Sequence, residues 1–182
     1  MFGLFNKKDP SVKVRDKVII DATAKLKTLF TAWNTNKNTV LIFWFDESLD
    51  EATNFFSTLT TEPVTLLTAR EASHTQLAGK TILFAEHYPL RSKEEELFVR
   101  LGLKEVTVFS SLQEPLFKMF GADKIIQVMK QLGIKEDEMI EHAMISKSIR
   151  NAQKKIEDKL VTEFSAHSQS GWLEKNFPAA NT

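Results

Sequence analysis

No cysteine occurs among the 182 residues, which excludes disulfides and every thiolate metal site, zinc ribbons included. That fits a reducing compartment, and the cytoplasm is the expected location. Net charge is missing too: 24 Lys and Arg balance 24 Asp and Glu, so no global field draws in nucleic acid or an acidic membrane. No uninterrupted apolar run approaches the ~20 residues that cross a bilayer, so no integral membrane segment is expected. The opening, MFGLFNKKDP, places its lysines after a short apolar run, the reverse of a secretory signal. Met1 to Phe5 read as a loose terminus, and Asn181-Thr182 as a frayed end.

What is present is apolar bulk. Fourteen Phe and three Trp suffice for one sizeable core with a helical appendage. Val14 to Trp33 reads as a first helix, with Val14, Val18, Ile19, Ala22, Leu26, Leu29, Phe30 and Trp33 near one face. Asn34 to Asn38 ends it with turn-forming residues. Thr39 to Phe45, TVLIFWF, is a strand covered on both faces. Ser48 and Glu51 predict a capping box opening a helix to Leu59, and Ser92 and Glu95 predict another opening a helix to Leu101, with Gly102 as its C-terminal cap. Further strands are expected over Val64–Thr68, Thr81–Ala85 and Val106–Ser110, with a short helix over Ala69–Gln76. Strands alternating with helices at this spacing give an α/β fold: three layers around a mostly parallel sheet. From Leu112 onward the pattern is helical, and Trp172 in the tail is expected to pack. The chain divides into a tail and helix (1–37), a sheet region (38–111) and a helical extension (112–182) packed on it as one globular unit.

Chemistry is sparse. Gly79-Lys80-Thr81 lacks the upstream glycine of a phosphate loop, since His74 stands there, and it precedes a strand instead of a helix; it reads as a turn. Glu138 and His142 have the i, i+4 spacing of helical ligands but no third partner, so no metal is expected. His142 reads as a structural hydrogen-bonding residue. Glu86-His87 follows the third expected strand, at the end where open α/β sheets bind ligands. Lys147, Arg150, Lys154 and Lys155 form a basic helix face that Glu157 and Asp158 dilute; it reads as a solvated face, and no nucleic-acid partner is expected.

The run LQEPLFKMFGADKIIQVMKQLGIKEDEMIEHAMISKSIRNAQKKIE, Leu112 to Glu157, carries the strongest signal. Leu116, Phe120-Gly121, Asp123, Ile125, Met129, Leu132-Gly133 and Glu138 are followed by Ile140-Glu141-His142, Met144 to Ile149 and Ala152-Gln153-Lys154-Lys155. This run resembles the SecA family of preprotein translocases, at the junction of the second nucleotide-binding domain and the helical scaffold. Upstream, Thr39 to Trp44 and Leu66 to Ala72 are similar to strand–turn segments of that domain. The resemblance implies a RecA-like, P-loop-NTPase-type α/β fold. Two family stretches are absent: the Gly-Arg-Gly-Thr-Asp that contacts nucleotide, and the Gln-Leu-Arg-Gly-Arg-Ser-Gly-Arg-Gln-Gly that supplies arginine fingers. Without those glycines and arginines, the positioning and positive charge that phosphoryl transfer needs are not visible.

The expected function is therefore a non-catalytic SecA-related module that binds a protein partner and is linked to preprotein translocation. The alternative is a nucleotide-binding half-site, or an ATPase subunit completed by another chain, with ATP or ADP as ligand. A third reading is a homo-oligomer through exposed aromatics such as Trp172. No catalytic or metal residue is assigned. A cofactor site would be drawn from Arg70, Glu86, His87, Arg91 and Arg100, and no cofactor is expected.

Overall fold

The computed structural model describes residues 12–178; Met1 to Phe5 and Asn181-Thr182 lie outside that span. Five strands, β1 (Lys13–Ile19), β2 (Thr39–Phe43), β3 (Leu66–Thr68), β4 (Thr81–Phe84) and β5 (Glu105–Ser111), form one sheet in the order β1-β5-β4-β2-β3. Every pairing within it is parallel. Helices α1 (Ala22–Thr35), α2 (Asp46–Ser57), α3 (His74–Leu77) and α4 (Arg91–Arg100) connect the strands. Four more follow: α5 (Pro115–Met119), α6 (Ala122–Gln131), α7 (Ala143–Glu157) and α8 (Gln169–Asn176).

The layers follow from the alternation of side chains along a strand. Leu41 and Phe43 of β2 and Phe109 of β5 meet Leu29 of α1 and Ala52 and Phe56 of α2. On the opposite face Val40, Ile42, Phe84, Val106 and Val108 meet Leu77 of α3 and Leu97, Phe98 and Leu101 of α4. All five residues of β2 are buried, as a central parallel strand requires. The arrangement is the three-layer, RecA-like α/β fold that the sequence predicts.

The first helix is shorter than expected and is preceded by a strand. Val14 to Ile19 lie in β1, paired with β5 from Lys13↔Glu105 to Ile19↔Ser111, and only Ala22 onward is helical. Asp21 separates the two: its Oδ1 accepts the Ala24 N–H at 2.7 Å and caps α1. The strand was masked because inward-facing Asp16 interrupts the apolar alternation. Gly102 does cap α4, at φ 70°, with the Leu103 N–H donating to Phe98 O at 2.9 Å in a Schellman arrangement.

The helices after β5 are part of the body. Ala122, Ile126, Met129, Ile145 and Ile149 of α6 and α7 pack on Val18 and Ile20 beside the carboxyl end of β1. Leu116, Ile156 and Trp172 of α5, α7 and α8 pack on Phe45 and Leu90, just past β2 and before α4.

Candidate functional site

Strands β2 and β4 are neighbours, yet β2 leads into α2 on one face and β4 into α4 on the other. A crevice opens where outgoing connections diverge in this way, and it is where doubly wound folds hold ligands. Here the chain fills it with its own carboxylate. Glu86, 2% exposed, accepts the Trp44 and Phe45 N–H groups on Oε1 at 2.8 and 3.0 Å, and the Ser48 hydroxyl on Oε2 at 2.7 Å. Phe45 is the N-cap of α2, so Glu86 takes up the two amides that lead into that helix, beside the positive end of its dipole. Burial lifts its carboxyl to about 7, against the pull of Lys25 and with a further push from the Glu114 charge. Lys25, on the buried side of α1, donates to Ala85 O at 2.8 Å and to Glu114 Oε1 at 2.7 Å. Ser48 therefore serves Glu86 and no capping box with Glu51; α2 starts two residues earlier, at Asp46, without a side-chain cap of its own.

One residue on, His87 lies fully buried between two carboxylates. Its Nδ1 is 2.8 Å from Glu94 Oε1 and its Nε2 2.9 Å from Asp16 Oδ1. Burial opposes a charged ring, but the Glu94 charge and the two hydrogen bonds outweigh it and raise the imidazole to about 10. The ring is thus an imidazolium donating from both nitrogens. For Asp16 burial also opposes ionisation, and the bond and charge of His87 overcome it and hold the carboxyl below its ordinary range. Gln153 of α7 joins by donating to Glu94 Oε2 at 2.9 Å and Tyr88 O at 2.8 Å. Gln169 of α8 donates to His87 O and accepts the Leu116 N–H. Strand β1, the β4–α4 loop and helices α4, α5, α7 and α8 are tied at one point.

Above this layer lies an open cleft of about 560 Å³ lined by Trp44, Asp46, Arg70, Tyr88, Lys93 and Arg100 among others. The Trp44 and Tyr88 rings stand 4.9 Å apart. The Tyr88 hydroxyl donates to Glu163, which also accepts the Trp172 Nε1–H at 3.1 Å. Arg70 is spent on Asp46 at 2.6 Å. Arg100 touches only Ala69 O, at 3.4 Å, among the described residues.

The five residues named from sequence therefore separate into four places. Glu86 seals the crevice; His87 is the centre of the buried network; Arg70 and Arg100 line the cleft. Arg91 bonds Glu95 at 2.8 Å on α4, and its charge also favours ionised Asp16. Ser92 does not form the expected capping box with Glu95: α4 begins at Arg91, and the Ser92 N–H donates to Glu157 of α7 at 2.6 Å. Trp172 is fully buried, which removes it as an exposed oligomerisation surface. His142 caps α7, its Nδ1 accepting the Met144 N–H at 3.2 Å. Gly79-Lys80 is a turn into β4. Sequence reasoning missed Asp16, Lys25, Glu94 and Gln153. Lys25 and Gln153 carried a signal, each being a polar residue on a buried helical stripe (Lys25-Leu29-Trp33 and Ile149-Gln153-Ile156).

No family model matches the chain. The protein translocase subunit SecA of Pelodictyon phaeoclathratiforme is 41% identical to it over 87 residues, which is 46% of this chain and 8% of that protein. SecA of Chlorobium luteolum is 42% identical over 86 residues, 45% of this chain and 8% of the relative. For SecA of Clostridium botulinum the figures are 41% over 86 residues, 45% and 10%. The chain spans a tenth or less of the length of these curated relatives. Close to half of this α/β chain is a SecA-like segment.

Proposed function

We propose that this chain is a non-catalytic, SecA-related module that binds a protein partner, acting in the cytoplasm in connection with protein translocation. The relatives' name supplies the link to translocation. The observation that carries the non-catalytic reading is Glu86: its buried carboxyl group already accepts the Trp44 and Phe45 N–H groups that lead into α2, so an incoming phosphate would find those donors taken. A tagged pull-down from cell extract, read by mass spectrometry, is expected to return a specific partner. Failure to capture any under several lysis conditions would sink the protein-binding reading.

One observation favours a second reading, a nucleotide half-site completed by another chain. Arg100 lines the cleft beside Trp44 and Tyr88, where a base could stack and a phosphate could meet the guanidinium. Calorimetry with ATP and ADP decides. The first reading expects no binding heat. Affinity tighter than ~100 µM that Arg100→Ala abolishes would establish the second reading in its place.

A further inference from the structure

Helix α6 is apolar on two sides. Ala122, Ile126 and Met129 face the interior, which accounts for one stripe. A second stripe, Ile125, Val128 and Leu132 at i, i+3 and i+7, is 46%, 54% and 74% exposed. Met119 and Phe120, at the end of α5, are 44% and 36% exposed and lead through Gly121 into that stripe. Together the five side chains expose roughly 500 Å² of apolar surface, the upper part of the range for the largest patch on a monomeric protein and the size of patch that marks a binding face.

Three lysines lie beside this surface. Lys124 stands one helical turn from Val128 on the outer flank, Lys118 precedes Met119, and the Lys155 ammonium lies 6.0 Å from the centre of the Phe120 ring. Among the described residues none of these three lysines makes an ion pair. Asp123, the carboxylate of α6, sits on the far side of the helix by its 100° spacing. Cations with no ion pair among the described residues thus flank the exposed apolar stripe.

We infer that the α5–α6 face docks an acidic amphipathic helix of a partner protein, its apolar residues laid along Ile125, Val128 and Leu132 and its carboxylates against Lys118, Lys124 and Lys155. The inference rests on the protein-binding reading and names the partner's chemistry. The spacing fits the packing of two helices side by side, each offering an apolar stripe at three-to-four spacing. A second copy is the poorer occupant, because its matching face would bring further lysines to the contact and no complementary carboxylates.

The test uses two fluorescein-labelled 18-residue synthetic helices with the same leucine stripe, one flanked by glutamates and one by lysines, titrated with the full chain and read by anisotropy. The Glu-flanked helix is expected to bind in the micromolar range, at least tenfold tighter than its Lys-flanked twin. Val128→Ser with Leu132→Ser should weaken it at least tenfold, with the circular dichroism and urea midpoint unchanged. Lys118→Glu, Lys124→Glu and Lys155→Glu together should reverse the preference. Equal affinity for both helices, or none, overturns the inference. So does self-association in the ultracentrifuge that Val128→Ser abolishes. Binding to vesicles of equal phosphatidylglycerol and phosphatidylcholine, lost in the triple-Glu variant while neither helix binds, overturns it in favour of a lipid surface. A specific partner pulled down equally by wild type and by the Val128→Ser/Leu132→Ser variant overturns the inference and leaves the protein-binding reading standing; no partner with either defeats that reading itself.

Discussion

Replacing His87 with leucine removes the cation that stands between Asp16 and Glu94 while nearly conserving volume. Two charge-assisted hydrogen bonds are lost, at 2.8 and 2.9 Å, each of a kind that contributes about 1.5–3 kcal/mol. The two carboxylates left behind, both almost fully inaccessible, cannot remain ionised together in an apolar surround. One escapes by taking up a proton, which limits the damage: raising a carboxyl from about 4 to beyond 7 costs about 4 kcal/mol at pH 7. These contributions overlap, since the lost bonds are part of what kept both carboxylates ionised. The expected loss is therefore about 4–5 kcal/mol at pH 7, the upper part of the 3–5 kcal/mol usual for breaking a buried pair by removing one partner. It should be smaller at pH 5, where protonation is easier.

Urea unfolding followed by tryptophan fluorescence reads this directly, since Trp33 and Trp172 are both buried. With a slope near 2 kcal/mol per molar urea, the midpoint should fall by roughly 2 M at pH 7. A loss under about 1 kcal/mol, or one identical at pH 5 and pH 8, would refute the imidazolium bridge. The companion variant Asp16→Leu/His87→Leu/Glu94→Met separates structure from special chemistry. If the network only holds elements together, an apolar trio of similar volume should recover most of the loss.

Two further outcomes follow from the same edge. Glu86 is raised to about 7 from its ordinary 4.5, so the folded state holds its proton more tightly and stability should fall by roughly 3 kcal/mol as pH rises from 4.5 to 7. His87, raised to about 10, contributes stability that is complete below pH 6.5 and lost as pH climbs through 10, so both groups put the urea midpoint higher at pH 5 than at pH 8. Glu86→Gln should flatten the lower part of that slope; an unchanged profile would mean the carboxylate is solvated. Trp172→Ala should cost about 3–5 kcal/mol and expose the 160–178 segment to limited proteolysis ahead of global unfolding; an undisturbed digestion pattern would show that α8 is held without it.

Much of the sheet was legible because β2, β4 and β5 are covered on both faces and bounded by turn residues, so their apolar runs stand out. Strand β1 was not, because its pattern is broken by Asp16, a residue whose partner is 71 positions away. The capping boxes misled for a related reason. Ser48-x-x-Glu51 and Ser92-x-x-Glu95 have the local spacing, yet the carboxylates that meet those helix starts are Glu86 and Glu157, brought in by tertiary structure. Position relative to a strand end located Glu86 and His87, and chemistry alone did not say that both would be sealed. A lysine and a glutamine on apolar helical stripes were the remaining legible signs of an internal polar layer.

The SecA-like signature itself divides by burial. Leu116, Ile149 and Gln153 are buried, and each has a task on the page: Leu116 offers its N–H to Gln169, Ile149 packs on Val18, and Gln153 locks Glu94 and Tyr88. Keeping this part of the signature needs no nucleotide chemistry, since closing the carboxyl edge of the sheet already accounts for it. Ile125, Leu132 and Met144 belong to the same signature yet are largely exposed, and nothing in the packing of this chain requires an apolar side chain at any of the three. Solvent-facing apolar residues scattered singly are ordinary on a protein surface, so these carry weight only where they cluster, as Ile125 and Leu132 do on the α6 face. The buried half of the signature is thus accounted for by the fold alone, and the helix titration on α6 decides whether Ile125 and Leu132 serve a contact.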